Sequence, residues 1–371
     1  MKSSEERQRQ AWLQRLRLDG PLLCGLLALA FISALTVYSA SGQDWAMTER
    51  QLLRIGIAFV VMLVVAHIPL DSVQRFSLPI FSAGVVLLLA VLLFGETSKG
   101  AQRWLDFGIV TIQPSELMKL AVPMAIAWFI SQQPLPISKR RLVAAFILLL
   151  VPTLMIANQP DLGTALLIAS SGIFVLFLAG ISWRLITFFG IAASAFVPIL
   201  WTFLMRDYQR QRVLTFLDPE RDPLGSGYQI IQSKIAIGSG GIEGKGWLQG
   251  TQSQLEFLPE RHTDFIFSVY SEEFGLLGVA LLLGLYAFVV IRGLQIAMRA
   301  QRVYQKLLAG SLTLTFFIYV LVNIGMVSGL LPVVGVPLPL ISYGGTSMVT
   351  LMAGFGLVMA IATNKRLVMH N

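Results

Sequence analysis

The sequence predicts an all-α, polytopic integral membrane protein with about ten transmembrane helices. Hydrophobic residues make up 55% of its 371 residues and charged residues only 13%, whereas an ordinary soluble domain carries roughly 25% charged residues. The mean hydropathy is +0.72. Apolar runs recur from residue 21 to residue 362 and leave room for one sizeable aqueous segment, so lipid is predicted to be the main solvent.

The individual helices follow from the length needed to cross a bilayer. A helix needs roughly 20 mostly apolar residues to cross about 30 Å of hydrocarbon. The first apolar run lacks a small-residue cleavage site and is predicted to be a retained span. The weakest prediction is 115–131, which is short and contains Glu116 and Lys119. The predicted spans, in order, are 21–40, 51–70, 77–95, 115–131, 142–158, 162–180, 184–204, 265–291, 307–329 and 343–363.

The distribution of Lys and Arg predicts that both termini are cytoplasmic. With this orientation, the short outer loops contain only Arg50, Arg54, Lys99 and Arg103. The segment 205–264 is then extracytoplasmic, and its bases do not contradict the orientation, since long loops translocate largely regardless of charge. The predicted organisation is a basic amphipathic tail at 1–20, one membrane domain at 21–364 that includes this long loop, and a cytoplasmic tail at 365–371.

Several functional classes are disfavoured by composition and spacing. The net charge of +8 comes from short basic clusters between apolar runs, as membrane topology requires, so nucleic-acid binding is not expected. Cys24 is the only cysteine, which excludes an intrachain disulfide and a cysteine-based zinc site. The glycine-rich run 238–246 fails the phosphate-loop pattern, because Ser239 occupies the first glycine position and Gly246 the Ser/Thr position. This run is predicted to be a flexible turn. Upstream, the periodicity of residues 228–235 predicts a short interfacial helix.

Glu116 and Lys119 are ionisable residues inside a predicted span, where charge is costly and indicates function by default. They stand three residues apart after Pro114, which suits a helix start, so their side chains are predicted to pair on one helical face. One interpretation is a salt bridge that locks two helices together. The other is a charged surface that lies beneath an anionic lipid substrate and interacts with it. The sequence alone does not choose between these interpretations.

Two acidic residues lie at predicted helix starts on the outer side. Asp161 follows a tight turn and is favoured as the cap of the next helix, although the same turn could line an external site. Asp264 ends the long loop at the membrane boundary, where a partly desolvated carboxylate suits a general base. From spacing alone, the capping of the eighth helix is a slightly better interpretation of Asp264 than catalysis.

The last predicted outer loop combines rigid and flexible residues without any Lys or Arg. Pro332, Pro337 and Pro339 are followed by Ser342 and a Tyr-Gly-Gly-Thr run. Irregular backbone of this kind is tolerated at membrane depth where it is buried in protein or lines a cavity. The simpler alternative is ordinary helix capping.

These motifs together resemble the SEDS family, the polytopic proteins of bacterial shape, elongation, division and sporulation. The resemblance covers essentially the whole chain from the first span to the last. It is closer to the elongation member of the family than to the division member, because of the compact termini and the form of the last motif. The motifs that carry it are Arg103-Trp104, Gln113-Pro114-Ser115-Glu116 with Lys119, Gln159-Pro160-Asp161-Leu162-Gly163-Thr164, Thr263 to Phe267 with Glu272-Glu273, and Pro337-Leu338-Pro339 leading to Ser342-Tyr343-Gly344-Gly345-Thr346.

The resemblance implies an inverting peptidoglycan glycosyltransferase of the inner membrane that polymerises lipid II on the outer face, together with a class B penicillin-binding protein that supplies crosslinking. It places the essential aspartate of the family at Asp264. A divalent cation, Mg or Mn, is the candidate cofactor, and the metal requirement stays open. The residues expected to bind substrate or its diphosphate are Arg103, Glu116, Lys119, Asp161, Arg212, Lys234 and Ser342.

Two other functional classes stay open at this stage. A flippase for lipid II would also suit a polytopic bundle with internal charge, but the sequence shows no paired broken helices in corresponding halves. A non-catalytic scaffold for the penicillin-binding protein would tolerate acid substitutions that leave the chain folded. An enzyme would instead lose activity in such variants.

Overall fold

The computed structural model describes residues 17–98, 101–106, 111–134, 137–159, 161–205, 207–222, 225–255 and 257–364. Most of the predicted tail at 1–20 and all of the tail at 365–371 lie outside the described residues. The protein is predominantly helical, which confirms the predicted fold class.

The described residues contain ten helices of 17 residues or more. Seven of them (α1–α3, α5 and α11–α13) are long and apolar enough to cross a membrane, and α6 is a shorter apolar helix. A count of ten membrane spans stays a prediction. The ten helices are α1 (Gly20–Ala40), α2 (Trp45–His67), α3 (Leu70–Phe94), α4 (Pro114–Ser131), α5 (Lys139–Asn158), α6 (Leu162–Leu178), α7 (Trp183–Ile199), α11 (Ile266–Arg299), α12 (Val303–Val327) and α13 (Thr346–Thr363).

Shorter elements occupy the two largest connections. A three-stranded antiparallel sheet lies between α3 and α4 and consists of β1 (Glu96–Ser98), β2 (Ala101–Asp106) and β3 (Thr111–Ile112). The predicted short helix near residues 228–235 is confirmed, since α9 spans these residues. A π-helical turn (Leu200–Leu204) precedes the long loop, which contains α8 (Asp207–Leu217), a 3-10 turn (Pro219–Arg221), α9 (Ser226–Ser239) and α10 (Thr251–Gln254).

Several helices, most of all α2, α3 and α11, extend beyond the predicted apolar spans, because polar residues continue the helical backbone. The second helix was predicted from residue 51, but α2 begins at Trp45, because Asp44 caps it by accepting a hydrogen bond from the Ala46 amide at 2.8 Å. Hydropathy measures only the part of a helix that suits lipid. The longer helix places Arg50 and Arg54 within its first turns instead of in a loop.

Helix α4 lies at the centre of the bundle. It packs against α3, α5, α6, α12 and α13, and every residue from 121 to 127 is buried. Its charged residues therefore face protein and not lipid, as intramembrane charges usually do. The central position explains why a hydropathy criterion ranked this helix as the weakest span.

Helix α11 is kinked at Gly275, and the glycine-rich run of the long loop is docked into the kink. The main chain of Gly275 has φ 61° and ψ −163°. Four main-chain hydrogen bonds join the two segments: Lys245 N to Glu272 O (3.0 Å), Gly246 N to Glu273 O (3.0 Å), Leu276 N to Gly241 O (2.9 Å) and Leu277 N to Ile242 O (3.1 Å). The run is a turn, as predicted, and these hydrogen bonds pair it with main-chain groups on both sides of the kink. Its flexibility stays a prediction.

Gly275→Ala is expected to loosen this docking. A Cβ at residue 275 would lie 2.6 Å from Ile242 O, and a left-handed φ in a non-glycine residue costs about 1–3 kcal/mol. We expect a lower melting temperature in detergent and faster limited proteolysis within residues 240–254. The matched control is Gly284→Ala in the same helix, where the added Cβ meets no atom within 4 Å. Equal behaviour of the two variants would contradict a structural role for the kink.

Candidate active site

Asp264 lies in the turn that leads into α11, but it does not cap that helix. The N-cap position is Phe265, and α11 has no side-chain capping hydrogen bond. The capping interpretation of Asp264 is therefore wrong, because the turn places the helix start one residue later. The side chain is partly exposed, and the catalytic role of Asp264 stays a prediction.

The main chain around Asp264 is held by side chains and main-chain groups from distant parts of the sequence. Three consecutive carbonyl groups each accept a hydrogen bond: His262 O from Tyr343 N (2.8 Å), Thr263 O from Ser342 Oγ (2.6 Å) and Asp264 O from Asn323 Nδ2 (2.9 Å). Asn323 is fully buried in α12 and also donates to Val336 O at 2.7 Å. These three contacts fix the main chain that carries the carboxylate.

Asn323 was missed by the sequence analysis. A buried amide inside an apolar span is itself a signal, since polar groups in a membrane must find partners. Ser342 was predicted to bind substrate, yet its side chain is only 4% exposed. Its hydroxyl donates to Thr263 O and accepts from Leu338 N at 2.7 Å. This geometry favours a positioning role for Ser342, and its contact with substrate stays a prediction.

Glu116 and Lys119 form the predicted ion pair, with 2.6 Å between Lys119 Nζ and Glu116 Oε1. Their side chains are 13% and 8% exposed. Both residues belong to α4, so the salt bridge does not itself join two helices, contrary to the locking interpretation. The link to α12 is instead made by Tyr319, whose ring centroid lies 5.2 Å from Lys119 Nζ.

Asp161 combines the two roles that the sequence left open. Its Oδ1 caps α6 by accepting a hydrogen bond from Thr164 N at 3.2 Å, while its Oδ2 lies 3.6 Å from Arg103 Nε. Asp161, Arg103 and Arg212 line one cavity of about 90 Å³. Arg212 also donates to Val333 O at 3.3 Å. The long loop, β2 and the start of α6 thus contribute to a common cavity that contains two arginines and an aspartate.

The α12–α13 loop (residues 328–345) connects this cavity to Asp264. Its residues 332–334 line the cavity, and the next residue, Gly335, lies beside the carboxylate. A Cβ at Gly335 would lie 3.5 Å from Asp264 Oδ2, and its φ is +72°. Lys234 packs over the beginning of the loop, where a Cβ at Gly329 would lie 2.8 Å from Lys234 Nζ.

Near Asp264, the imidazole of His262 lies against Tyr343, with ring centroids 5.9 Å apart and an edge-to-face arrangement. Burial lowers the pKa of His262, the Glu260 carboxylate opposes this shift, and Arg261 adds to it. His262 is therefore neutral at pH 7. Its imidazole therefore adds no positive charge beside Asp264 at this pH.

No set of metal ligands is evident in the described part of the chain. In these residues, no three His, Cys, Asp or Glu side chains come together in a group that could hold a metal ion. The site residues therefore do not fit a protein-held metal centre, and the divalent cation stays a prediction.

The fold and the site define a multi-pass membrane protein in which the long loop, the start of α6 and the α12–α13 loop bring charged residues together around a cavity. The cell cycle protein family FTSW_RODA_SPOVE matches residues 16–367. The chain belongs to this family. Together with its apolar helices, this membership identifies a multi-pass protein of the bacterial inner membrane and confirms the predicted family.

Named relatives align with nearly the whole chain. The peptidoglycan glycosyltransferase MrdB of Escherichia coli strain K12 is 56% identical over 359 residues, covering 97% of each chain. The probable peptidoglycan glycosyltransferase FtsW of Escherichia coli O6:H1 is 35% identical, covering 93% of this chain and 85% of the relative. The higher identity to MrdB agrees with the predicted elongation branch.

Two solved structures share the fold. A chain of a peptidoglycan synthase complex that coordinates polymerization and crosslinking is 34% identical and superposes with a TM-score of 0.80, covering 93% of this chain and 97% of that chain. The rod shape determining protein RodA of Thermus thermophilus is 26% identical and superposes with a TM-score of 0.70, covering 93% and 96%.

Proposed function

We propose that this chain is a peptidoglycan glycosyltransferase that polymerises lipid II into glycan strands on the outer face of the cytoplasmic membrane during cell elongation. The observation that carries the proposal is the 56% identity to MrdB over 97% of both chains. The charged residues around the cavity support it, because the diphosphate of a lipid-linked sugar is itself charged.

In the proposed reaction, Asp264 acts as general base. Its carboxylate takes the proton from the 4-hydroxyl of the acceptor sugar while that oxygen attacks the anomeric carbon of the donor. The bond from the anomeric carbon to the diphosphate oxygen breaks, and undecaprenyl diphosphate leaves with the bonding electron pair. Attack from the face opposite the leaving group inverts the anomeric configuration. A leaving diphosphate needs no proton, so one base suffices.

Positive charge on the cavity side of the α12–α13 loop would stabilise the departing diphosphate. Arg103 and Arg212 line the cavity, and Lys234 lies at the beginning of the same loop. Such groups accelerate the reaction because they stabilise charge that increases in the transition state. Lys119, which is 8% exposed and paired with Glu116, is a further basic residue that would stabilise the diphosphate.

The proposal includes a membrane orientation and a partner. The Lys and Arg distribution supports cytoplasmic termini and an extracytoplasmic active site. The structural similarity to a chain of a peptidoglycan synthase complex supports a class B penicillin-binding protein as the partner. In that arrangement, the partner crosslinks the strands that this chain polymerises.

The test is polymerisation of fluorescent lipid II in detergent by the purified protein with its penicillin-binding partner, whose transpeptidase is blocked. We expect glycan strands from the complex and none from the partner alone. A folded and assembled complex that makes no polymer would contradict the proposal and favour a flippase or a scaffold.

A further inference from the structure

Arg54 is a half-buried arginine stacked on an aromatic ring. From the sequence it was counted only among the basic residues of the outer loops. Its guanidinium carbon lies 4.3 Å from the ring centroid of Tyr343. Its aliphatic stem passes over the main chain of Gly345, where an added Cβ would lie 3.5 Å from Arg54 Cδ. Within the described ranges, the guanidinium makes no hydrogen bond and no ion pair, so its N–H groups are available to a ligand.

The aromatic ring under Arg54 belongs to the framework that positions Asp264. Tyr343 N donates to His262 O at 2.8 Å, and the Tyr343 ring packs against the His262 imidazole. One turn before Arg54, the buried Gln51 donates to Ser342 O at 3.3 Å. The outer end of α2 is thus joined to the end of the α12–α13 loop beside the catalytic turn.

The α12–α13 loop therefore passes two separate sources of positive charge. Its early part, residues 332–334, lines the cavity that contains Arg103 and Arg212. Its last part, residues 343–345, lies under Arg54. Gly335, between these two parts, lies beside Asp264. Arg50, one turn earlier on the same face of α2, is exposed and adds to the positive charge on the Arg54 side.

The proposed reaction needs two such positions, because both of its substrates carry a diphosphate. The donor loses its diphosphate, whereas the acceptor lipid II keeps its own. Two dianionic groups brought to one carboxylate repel each other and require separate counter-charges. A guanidinium whose face is covered by an aromatic ring presents its N–H edge, the geometry that binds phosphate oxygens in a bidentate manner.

We propose that Arg54, stacked on Tyr343, binds the diphosphate of the acceptor lipid II, while the Arg103–Arg212 cavity receives the diphosphate that leaves. This inference rests on the proposed function and assigns its two substrates to different positions. The leaving group gains charge in the transition state and belongs with the larger basic cluster, where stabilisation accelerates the chemistry. The acceptor diphosphate does not change charge, so Arg54 contributes to binding in the ground state and the transition state alike.

The test uses two lipid II analogues that separate the substrates. The donor-only analogue has a methylated acceptor 4-hydroxyl, and the acceptor-only analogue has a methylene group in place of its anomeric oxygen. One coupling then yields a lipid-linked tetrasaccharide. The rate is measured with the transpeptidase-blocked complex while the concentration of each analogue is varied in turn, for wild type, Arg54→Gln, Arg54→Lys and the control Arg75→Gln. Arg75 is exposed near the start of α3, at the other end of the bundle.

We expect Arg54→Gln to raise the half-saturating concentration of the acceptor-only analogue by about tenfold, the loss typical of one charge-assisted contact. Its maximal rate and the half-saturating concentration of the donor-only analogue should change by less than about twofold. Arg54→Lys should show a smaller increase, because it keeps the charge without the planar stacking geometry. Arg75→Gln should match wild type.

Three results would overturn the inference: an unchanged acceptor dependence, equal changes for both analogues, or a change for the donor-only analogue alone. Arg54 could instead hold Tyr343 in place; in that case Arg54→Gln would lower the maximal rate with no selective effect on the acceptor. If wild type forms no tetrasaccharide, the proposed function fails separately. Binding of a fluorescent acceptor-only analogue to wild type and Arg54→Gln then still decides the role of Arg54, since equal affinities would refute it.

Discussion

Asp264→Asn is expected to slow glycan polymerisation by at least about 100-fold, the contribution typical of a general base. Asparagine keeps the shape of the side chain but cannot take the acceptor proton. The variant should still fold, because the carbonyl oxygens of residues 262–264 accept three hydrogen bonds that the substitution leaves unchanged. It should also bind lipid II, since the basic residues around the site are unchanged.

The measurement is the initial rate of polymer formation from fluorescent lipid II by the complex with a blocked transpeptidase. Melting temperature and lipid II binding are recorded for the same preparations. Glu243→Gln is the matched control, since Glu243 is an exposed acid of the same long loop, and it should behave as wild type. An Asp264→Asn variant as active as wild type would refute the assignment of the base.

Lys119→Met is expected to destabilise the protein by about 3–5 kcal/mol, because removal of one partner leaves a buried charge without compensation. Glu116 is only 13% exposed, and it lies in the helix at the centre of the bundle. The melting temperature in detergent should fall clearly below that of Lys306→Met, a control at an exposed lysine of α12. A melting temperature equal to that of the control would show that the Glu116–Lys119 ion pair does not contribute to stability.

The double variant Glu116→Gln/Lys119→Met separates the structural and functional interpretations of this ion pair. Removing both charges should restore most of the lost stability, since two neutral side chains of similar size need no counter-charge. We expect polymerisation to stay more than about tenfold below wild type, because the proposed stabilisation of the diphosphate by Lys119 is lost. Recovery of the rate along with stability would assign the pair a structural role only.

Residue spacing and hydropathy were enough to predict the features that depend on neighbouring residues and on solvent. Hydropathy predicted the ten long helices to within a few residues at most ends, because a run of apolar side chains suits lipid whatever lies beside it. The spacing of Glu116 and Lys119 predicted their ion pair, since residues three apart share a helical face. The cap of α6 by Asp161 followed from turn chemistry in the same way. Sequence motifs also identified the family and the catalytic candidate.

Tertiary structure decided the features that depend on contacts between distant residues. Periodicity could not show that Phe265 occupies the N-cap position of α11. The turn before it is set by hydrogen bonds from the Tyr343 main chain and from the Ser342 and Asn323 side chains. Periodicity also could not show that Arg54 meets Tyr343, which lies almost three hundred residues later in the chain. A local pattern determines which residues form a helix. Only the packing of helices and loops against one another determines which charges come to surround one carboxylate.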